Sequence, residues 1–450
     1  MEIKFTRLPP DFYRQAVREN RRNACCLSRF YHTARRQKDK ARCKVYFHTP
    51  PTHWRMISVY SISHFLVDFA CAFLMSRSIV HTPDWYLCVL IYNFCAFAMQ
   101  MPIGIVADIL NRNALIAGAG CVLAALAYGV AGVPLASAVV AGIGNGMFHI
   151  GGGIDILNIS REKSGALGVF VSPGALGIYL GTILGRGEAL PILPVILVLS
   201  GAAGLILVTR RVYGEMYAAN AAFSPEIFYG TSNYTSQCTS IRASNKGSQG
   251  IMAGNPPGNP PGNPRRAARG ALIAVICLFA VVCLRSYIGL GLNFPWKGAG
   301  NWGIALVFAA VFGKTGGGFI SDGFGAMKTA GVALGAAAVL LLFPGVPVAG
   351  VVAVLLINIS MPVTLWYMAG AFPGAKGFSF GLLTFGLFLG FLPVYFGAAS
   401  PPWLFPATAA VSFALLVFAL KKIESYRHRV YPQPGRRPPP LSDVSGMETE

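Results

Sequence analysis

The stretch Gly104-Ile-Val-Ala-Asp108-Ile-Leu-Asn-Arg112 closes an apolar block, and a related stretch, Gly318-Phe-Ile-Ser-Asp322-Gly-Phe-Gly325, closes another block 214 residues later. In both stretches a glycine stands four positions before the aspartate. Three further landmarks recur at almost the same spacing: Pro134 and Pro347, Asn145 and Asn358, and Gly165 and Gly377. A nearly constant offset across the chain predicts two homologous halves.

The composition indicates that lipid is the solvent for most of this chain. Hydrophobic residues make up 54% of it and charged residues 12%, whereas soluble proteins carry about 25% charged residues. A spanning helix needs about 20 apolar residues. Twelve such blocks are predicted, at 57–78, 85–107, 113–132, 134–156, 164–185, 189–208, 270–292, 300–321, 328–345, 347–369, 376–398 and 402–421. We therefore expect an all-α polytopic membrane protein with twelve transmembrane helices in two six-helix pseudo-symmetric halves.

Polar segments flank and separate the two halves. The Asn-Pro-Pro-Gly repeats that begin at Asn255 cannot build a packed core and indicate a linker. The N-terminal arm lacks an apolar signal segment, and we expect it to be disordered or to precede a natural start at Met56. The predicted domains are an arm at 1–55, a half at 56–208, a linker at 209–268, a half at 269–422 and a tail at 423–450.

The basic residues predict the orientation in the membrane. The net charge is +20, but the basic side chains lie at the chain ends and in alternate loops, which is typical of membrane topology and not of nucleic-acid binding. Only Arg77, Arg186 and Lys297 would lie in outer loops. Both termini are therefore predicted to be cytoplasmic, in the plasma (inner) membrane.

The paired Gly-x-x-x-Asp stretches resemble the signature of the major facilitator superfamily, over about 56–422. The resemblance implies a secondary transporter in which the two aspartates either cap a neighbouring helix or pair with an arginine at a cytoplasmic gate. The first copy departs from the pattern, with Ile109 after the aspartate and Asn111 where glycine is usual. The predicted gating residues are Gly104, Asp108, Arg112, Gly318, Asp322 and Gly325.

Three shorter stretches are similar to one branch of that family, the fosmidomycin-resistance-like transporters. They are Ser63-His64-Phe-Leu-Val-Asp68-Phe, Gly146-Met-Phe148-His149 and Leu284-Arg285-Ser286. The sequence departs from the branch at Ile150, where proline is usual. The drug in the name of the branch implies nothing about the substrate of this chain.

Charged side chains within a bilayer mark functional candidates, because each costs about 2.5–3.5 kcal/mol on insertion scales. His64 and Asp68 share one helix face near the middle of the first span, and desolvation makes Asp68 a candidate proton carrier. Arg285 is predicted to bind an anionic solute or to be the partner of Asp68. The alternative is that Asp68 and Arg285 form an ion pair with a purely structural role. Asp155 is expected in a solvated loop network. The predicted cavity residues are His64, Asp68, Asn145, His149, Arg285 and Asn358.

The fifth span contains Ser172-Pro173-Gly174-x-x-Gly177-x-x-x-Gly181-x-x-x-Gly185. This stretch resembles the Gly-Pro motif of proton-coupled exporters, with serine at the usual first glycine. Glycines four apart also form a flat face for close helix packing, which is the plainer explanation. Together with Asp68, the motif favours antiport over import.

The sequence therefore predicts a monomeric secondary transporter that moves a small organic solute by alternating access, most simply by export in exchange for protons. The alternatives are an importer or uniporter of the same fold, a non-transporting receptor, and a membrane-embedded enzyme. The sequence lacks an ATP-binding loop and an HExxH motif, and the cysteines lack metal-binding spacing. We thus expect no enzyme activity, no cofactor and no metal; the expected partners are the solute, protons and the lipid bilayer, with no nucleic acid.

Overall fold

The computed structural model describes residues 51–160, 163–187, 190–221, 264–372, 374–398 and 400–430. Most of the predicted arm (1–50), the middle of the predicted linker (222–263) and most of the predicted tail (431–450) lie outside the described residues.

Twelve helices, α1 to α12 in chain order, make up almost all of the described chain. Their bounds are α1 His53–Ile79, α2 Trp85–Leu110, α3 Asn113–Val130, α4 Pro134–Ser160, α5 Gly165–Arg186, α6 Ile192–Ala221, α7 Pro264–Gly291, α8 Trp302–Phe324, α9 Ala326–Leu340, α10 Pro347–Ala371, α11 Lys376–Tyr395 and α12 Leu404–Val430. The first turn of α1 begins two residues earlier, at Pro51. The predicted all-α fold with twelve helices is confirmed.

Eleven of these described helices are long and apolar enough to cross a membrane. The exception is α9, which is apolar but has 15 residues and so measures about 22 Å, against a hydrocarbon core of about 30 Å. The sequence predicted a longer span, 328–345. The helix ends earlier because the chain turns after Leu340, ahead of Pro344 and Gly345.

The same helix pairs pack in both halves. The contacts of α1 with α5, α3 with α4, α3 with α6 and α2 with α4 recur as α7 with α11, α9 with α10, α9 with α12 and α8 with α10. Two main contacts join the halves, α2 with α11 and α8 with α5, and the pseudo-symmetry exchanges them. The predicted two-half architecture therefore appears in the packing.

The helix bundle has an aspartate end and a tyrosine end. The aspartate end carries Asp108 and Asp322, at the last turns of α2 and α8. The tyrosine end carries Tyr86 and Tyr395, whose rings stack with centroids 4.0 Å apart. Each tyrosine hydroxyl donates to the backbone carbonyl of the other tyrosine. The contact between α2 and α11 therefore extends to both ends of the bundle.

The glycines of α5 let it pack directly on the backbone of α1. A Cβ atom at Gly177 or Gly181 would collide with main-chain atoms of Phe65 or Phe69, and one at Gly185 would meet the backbone of Phe73. The close approach of α5 to α1 requires glycine at these positions. The glycine spacing predicted this packing role.

We expect Gly181→Ala to destabilise the protein by about 1–3 kcal/mol, because the added methyl group forces α5 away from α1. Thermal unfolding in detergent measures the effect. Gly201→Ala is the matched control, since nothing lies within 4 Å of the Cβ position at Gly201 in α6. An equal melting temperature for the two variants would contradict the close packing of α1 and α5.

Candidate functional site: a buried histidine–aspartate cluster and a pair of helix caps

Asp108 and Asp322, the aspartates of the two repeated motifs, each cap a helix of the opposite half. Asp108 accepts hydrogen bonds from the amides of Gly377 (2.8 Å) and Phe378 (2.9 Å), in the first turn of α11. Asp322 accepts from the amides of Ser164 (2.7 Å) and Gly165 (2.9 Å), at the start of α5. The first amides of a helix have no partner within it and carry partial positive charge, so a carboxylate binds there well.

The glycines of the same motif bring the two halves into backbone contact. A Cβ atom at Gly104 would collide with the carbonyl of Gly377, and one at Gly318 would meet the backbone at Gly165. The two contacts are equivalent under the repeat. They place the motif glycines between the halves, beside the capped helix ends.

The residue three places after each aspartate adopts a left-handed conformation. Asn111 has φ 50° and Gly325 has φ 90°. This region favours glycine, and asparagine is among the side chains that tolerate it best. The departure at Asn111 therefore preserves the turn that follows α2.

Arg112 takes no part in these caps. Its side chain is exposed, and it forms no salt bridge with a carboxylate in the part of the chain that the structure describes. Lys376, which begins α11 next to the amides that Asp108 caps, donates from Nζ to Asn158 Oδ1 on α4 at 2.9 Å. From the sequence, these aspartates were expected either to cap a helix or to pair with an arginine. The structure contains the helix caps.

A polar cluster lies within the N-terminal half, between α1, α4 and α5. Asp68 Oδ1 accepts a hydrogen bond from Asn145 Nδ2 at 2.9 Å. Asp68 Oδ2 is 3.2 Å from His64 Nε2, and Oδ1 is 3.7 Å from His149 Nε2. All four residues are buried, with at most 8% of each residue exposed. The structure thus brings together four of the six predicted cavity residues.

The backbone determines which ring nitrogens carry protons. His64 Nδ1 lies 2.7 Å from the carbonyl of Phe170, and His149 Nδ1 lies 2.9 Å from the carbonyl of Asn145. A carbonyl oxygen only accepts, so both Nδ1 atoms must carry hydrogen. In the neutral rings both Nε2 atoms then present lone pairs to each other.

Those two Nε2 atoms are 2.8 Å apart. Two facing lone pairs at that distance repel, whereas one proton between them makes a hydrogen bond. A single proton shared between His64 and His149 would satisfy this geometry. The nearby carboxylate of Asp68 would offset the resulting positive charge.

Gly174 closes the cluster from α5. A Cβ atom at this position would collide with Asp68 Oδ2 and His64 Nε2. Pro173 begins the second segment of α5, after a break at Ser172. The Gly-Pro motif therefore has two roles in the structure: it packs α5 on α1 and it makes room for the histidine–aspartate cluster.

The other two predicted cavity residues lie outside the cluster. Asn358 Nδ2 donates to the carbonyl of Val354 on its own helix. Arg285 is buried on α7, and it forms no salt bridge with Asp68 or with any other carboxylate among the described residues. The partners of Asp68 are His64, His149 and Asn145, so the considered Asp68–Arg285 ion pair is absent from this structure.

A second buried carboxylate was not anticipated from the sequence. Asp155 on α4 has no exposed surface; it accepts hydrogen bonds from Tyr60 Oη at 2.7 Å and from Asn113 Nδ2 at 2.9 Å. The expectation of a solvated loop network at Asp155 was wrong, because α4 continues to Ser160 and keeps this turn inside the bundle. The helical spacing of the apolar residues Ile150, Ile154 and Leu157 around it was the available signal.

The cluster also has the donor set of a metal site. The candidate ligand atoms of His64, Asp68 and His149 lie within 4.8 Å of one another, and two imidazoles with one carboxylate suit zinc or iron. Nearby positive charge opposes a divalent cation here, because Lys314 interacts electrostatically with Asp68, His149 and Arg285. A proton meets the same geometric requirement with less charge.

No protein-family model matches this sequence, and no curated protein matches it. The fold does match solved structures. A variant of the E. coli fucose:proton symporter FucP superposes with a TM-score of 0.52 at 15% identity, over 82% of this chain and 99% of that chain. At this identity the likeness concerns the fold alone.

Two other matches are weaker. They are FucP in the outward conformation, described as a major facilitator superfamily transporter (TM-score 0.48, 13% identity, 82% and 99% of the chains), and the human organic anion transporter MFSD10, or TETRAN (0.46, 17%, 85% and 98%). The chain is an integral membrane protein by the length and apolar character of its helices, and its fold is similar to that of the E. coli symporter FucP.

We expect Asp108→Asn to speed hydrogen–deuterium exchange at the amides of Gly377 and Phe378, because a charge-assisted bond is lost. A loss of about 1.4 kcal/mol corresponds to about tenfold faster exchange. Mass spectrometry of peptides from the start of α11 measures this.

Asp322→Asn is the reciprocal control, with faster exchange expected at Ser164 and Gly165 and little change in α11. If neither variant alters exchange at its own capped amides, the carboxylate caps do not hold these helix ends.

Proposed function

We propose that this chain is a proton-coupled secondary transporter that moves a small organic solute by alternating access. The observation that carries the proposal is the shared-proton geometry of His64 and His149 beside Asp68. A group that gains and loses a proton within the bilayer is what coupling to a proton gradient requires. The E. coli protein with a similar fold is itself a proton symporter.

The shared proton would link protonation to the arrangement of helices. His64 belongs to α1 and is anchored to α5 through the Phe170 carbonyl, while His149 belongs to α4. Loss of the proton leaves two repelling lone pairs, so the rings must separate. Asp68 already has hydrogen-bonding partners for its ionised form, so the exchanged proton belongs to the histidine pair and not to the carboxylate. This refines the sequence-based proposal that Asp68 itself carries the proton.

The helix caps are the proposed gate. Opening the aspartate end would separate α2 from α11 and α8 from α5, and it would break the bonds made by Asp108 and Asp322. Opening the other end would break the reciprocal bonds of Tyr86 and Tyr395. The positive-inside prediction assigns the aspartate end and both termini to the cytoplasm, with the chain in the plasma membrane.

The direction of transport is a separate proposal. Export in exchange for protons, as the sequence predicts, requires that proton and solute exclude each other. The α5 glycines pack on α1, and this role of the Gly-Pro motif is independent of the direction of transport. Proton-coupled uptake is the second candidate, because a proton on the histidine pair adds to the positive charge of Arg285 and Lys314 and would strengthen binding of a negative solute. The resemblance to the fosmidomycin-resistance-like branch stays a prediction.

The test is proton movement in proteoliposomes that contain the full-length chain and a trapped pH dye, across a panel of small organic solutes. We expect at least one solute to drive a proton flux in the wild type. Asp68→Asn and His149→Gln should abolish that flux, because the first removes the charge that balances the shared proton and the second removes one of the two nitrogens that hold it. Acidification of the side that the solute leaves indicates exchange, and alkalinisation of that side indicates symport.

His81→Gln is the matched control, since His81 is exposed at the tyrosine end, and it should retain the wild-type flux. Solute movement without proton flux, unchanged in Asp68→Asn, would replace the proposal with a uniporter. Solute binding without any counterflow would instead indicate a receptor. Nitrogen-15 NMR of the histidines provides a solute-independent check, because it distinguishes one shared proton from two neutral rings.

A further inference from the structure

Two cationic side chains lie inside the bundle and have no carboxylate partner among the described residues. Arg285 on α7 is 9% exposed, and its Nη1 atom is buried with no hydrogen-bond partner. Lys314, near the middle of α8, makes one long contact, from Nζ to the carbonyl of Val171 at 3.5 Å. Neither forms a salt bridge among the residues that the structure describes.

Asp68 cannot balance the positive charges of Arg285 and Lys314. Asp68 interacts electrostatically with Lys314, but its oxygens are engaged by His64, His149 and Asn145. The shared proton of the histidine pair already offsets the charge of Asp68. Arg285 and Lys314 therefore leave the centre of the bundle with an excess of positive charge.

A structural explanation accounts poorly for this arrangement. A buried charge without a partner destabilises a protein, and an arginine that serves packing normally extends its guanidinium to the interface. Arg285 instead keeps an N–H group buried and unbonded. Groups of this kind persist where a ligand supplies the missing partner.

We propose that Arg285 and Lys314 bind an anionic group of the transported solute, of carboxylate or phosphate chemistry. The planar guanidinium of Arg285 matches two oxygens of such a group, and Lys314 supplies a second positive charge. Arg285 lies in the C-terminal half, whereas Lys314 contacts Val171 of the N-terminal half, so the anion would bind between the halves. This inference rests on the proposed transport function and names its substrate class.

The experiment compares solutes that share a carbon skeleton and differ in charge. The probes are glutarate, glutaramide and 1,5-diaminopentane, with glycerol 3-phosphate and glycerol as a second series. Their effect on the melting temperature of the full-length protein in detergent measures binding. We expect the carboxylate or the phosphate to raise the melting temperature by a few degrees and the neutral and cationic analogues to leave it unchanged.

Arg285→Gln and Lys314→Gln should each weaken anion binding by at least about tenfold, because a charge-assisted hydrogen bond is lost. Arg285→Lys keeps the charge but not the two-oxygen geometry, so it should bind with intermediate affinity. Arg186→Gln, at an exposed arginine of the tyrosine end, should bind as the wild type does.

A ligand-independent measurement completes the test. Without solute, Arg285→Gln should melt at the same temperature as the wild type or higher, because it removes an unpaired buried charge. A lower melting temperature with unchanged anion binding would make Arg285 structural and overturn the inference, as would an absence of stabilisation by either anion.

Failure of this inference is distinguishable from failure of the proposed function. Proton flux driven only by neutral or cationic solutes would keep the proton coupling and reject the anion site. Anion binding that Arg285→Gln removes, without any proton flux, would keep the site and reject the coupling.

Discussion

The contact between His64 Nε2 and His149 Nε2, which lie 2.8 Å apart, determines how the polar interior of this protein is arranged. The Nδ1 atoms of His64 and His149 must donate to backbone carbonyls, so the Nε2 atoms cannot avoid each other by changing tautomer. Asp68 lies beside both rings, and Gly174 leaves room for the group. Because Asp68 is engaged in this way, it is not a partner of Arg285. Among the residues that the structure describes, Arg285 and Lys314 therefore form no salt bridge with this carboxylate.

The ends of the bundle obey a related constraint. A helix that begins at the contact between halves exposes amides with no partner, and a carboxylate from the opposite half supplies one. The chain uses this solution twice, with Asp108 on α11 and Asp322 on α5. Such bonds are strong while the halves touch, and water would replace them in the proposed opening of the aspartate end. Carboxylate caps are therefore suited to a gate. Apolar contacts are less suited, because lipid and protein satisfy apolar side chains equally well.

Several features could be predicted from sequence because they depend on local chemistry. The apolar blocks predicted the helices, and the repeated landmarks predicted the two halves. The spacing of His64 and Asp68 placed both side chains on one helix face. The rule that buried charge is costly selected Arg285 as well. Asp155 was misjudged, because whether a residue near a helix end is buried depends on where the helix stops and on which helices cover it.

By itself, the sequence determined the membrane setting, the helix count and the set of polar residues within the bilayer, since these follow from composition, block length and the cost of burying charge. Only the tertiary structure decided the partners. It joined Asp68 to His149 and Asn145 of α4, and among the described residues it gave Arg285 no carboxylate partner. It also assigned Asp108 and Asp322 to helix caps and left Arg112 exposed. The physical reason is that hydrogen bonds require particular atoms within about 3 Å, and the rotation and packing of each helix, which no local pattern encodes, bring those atoms together.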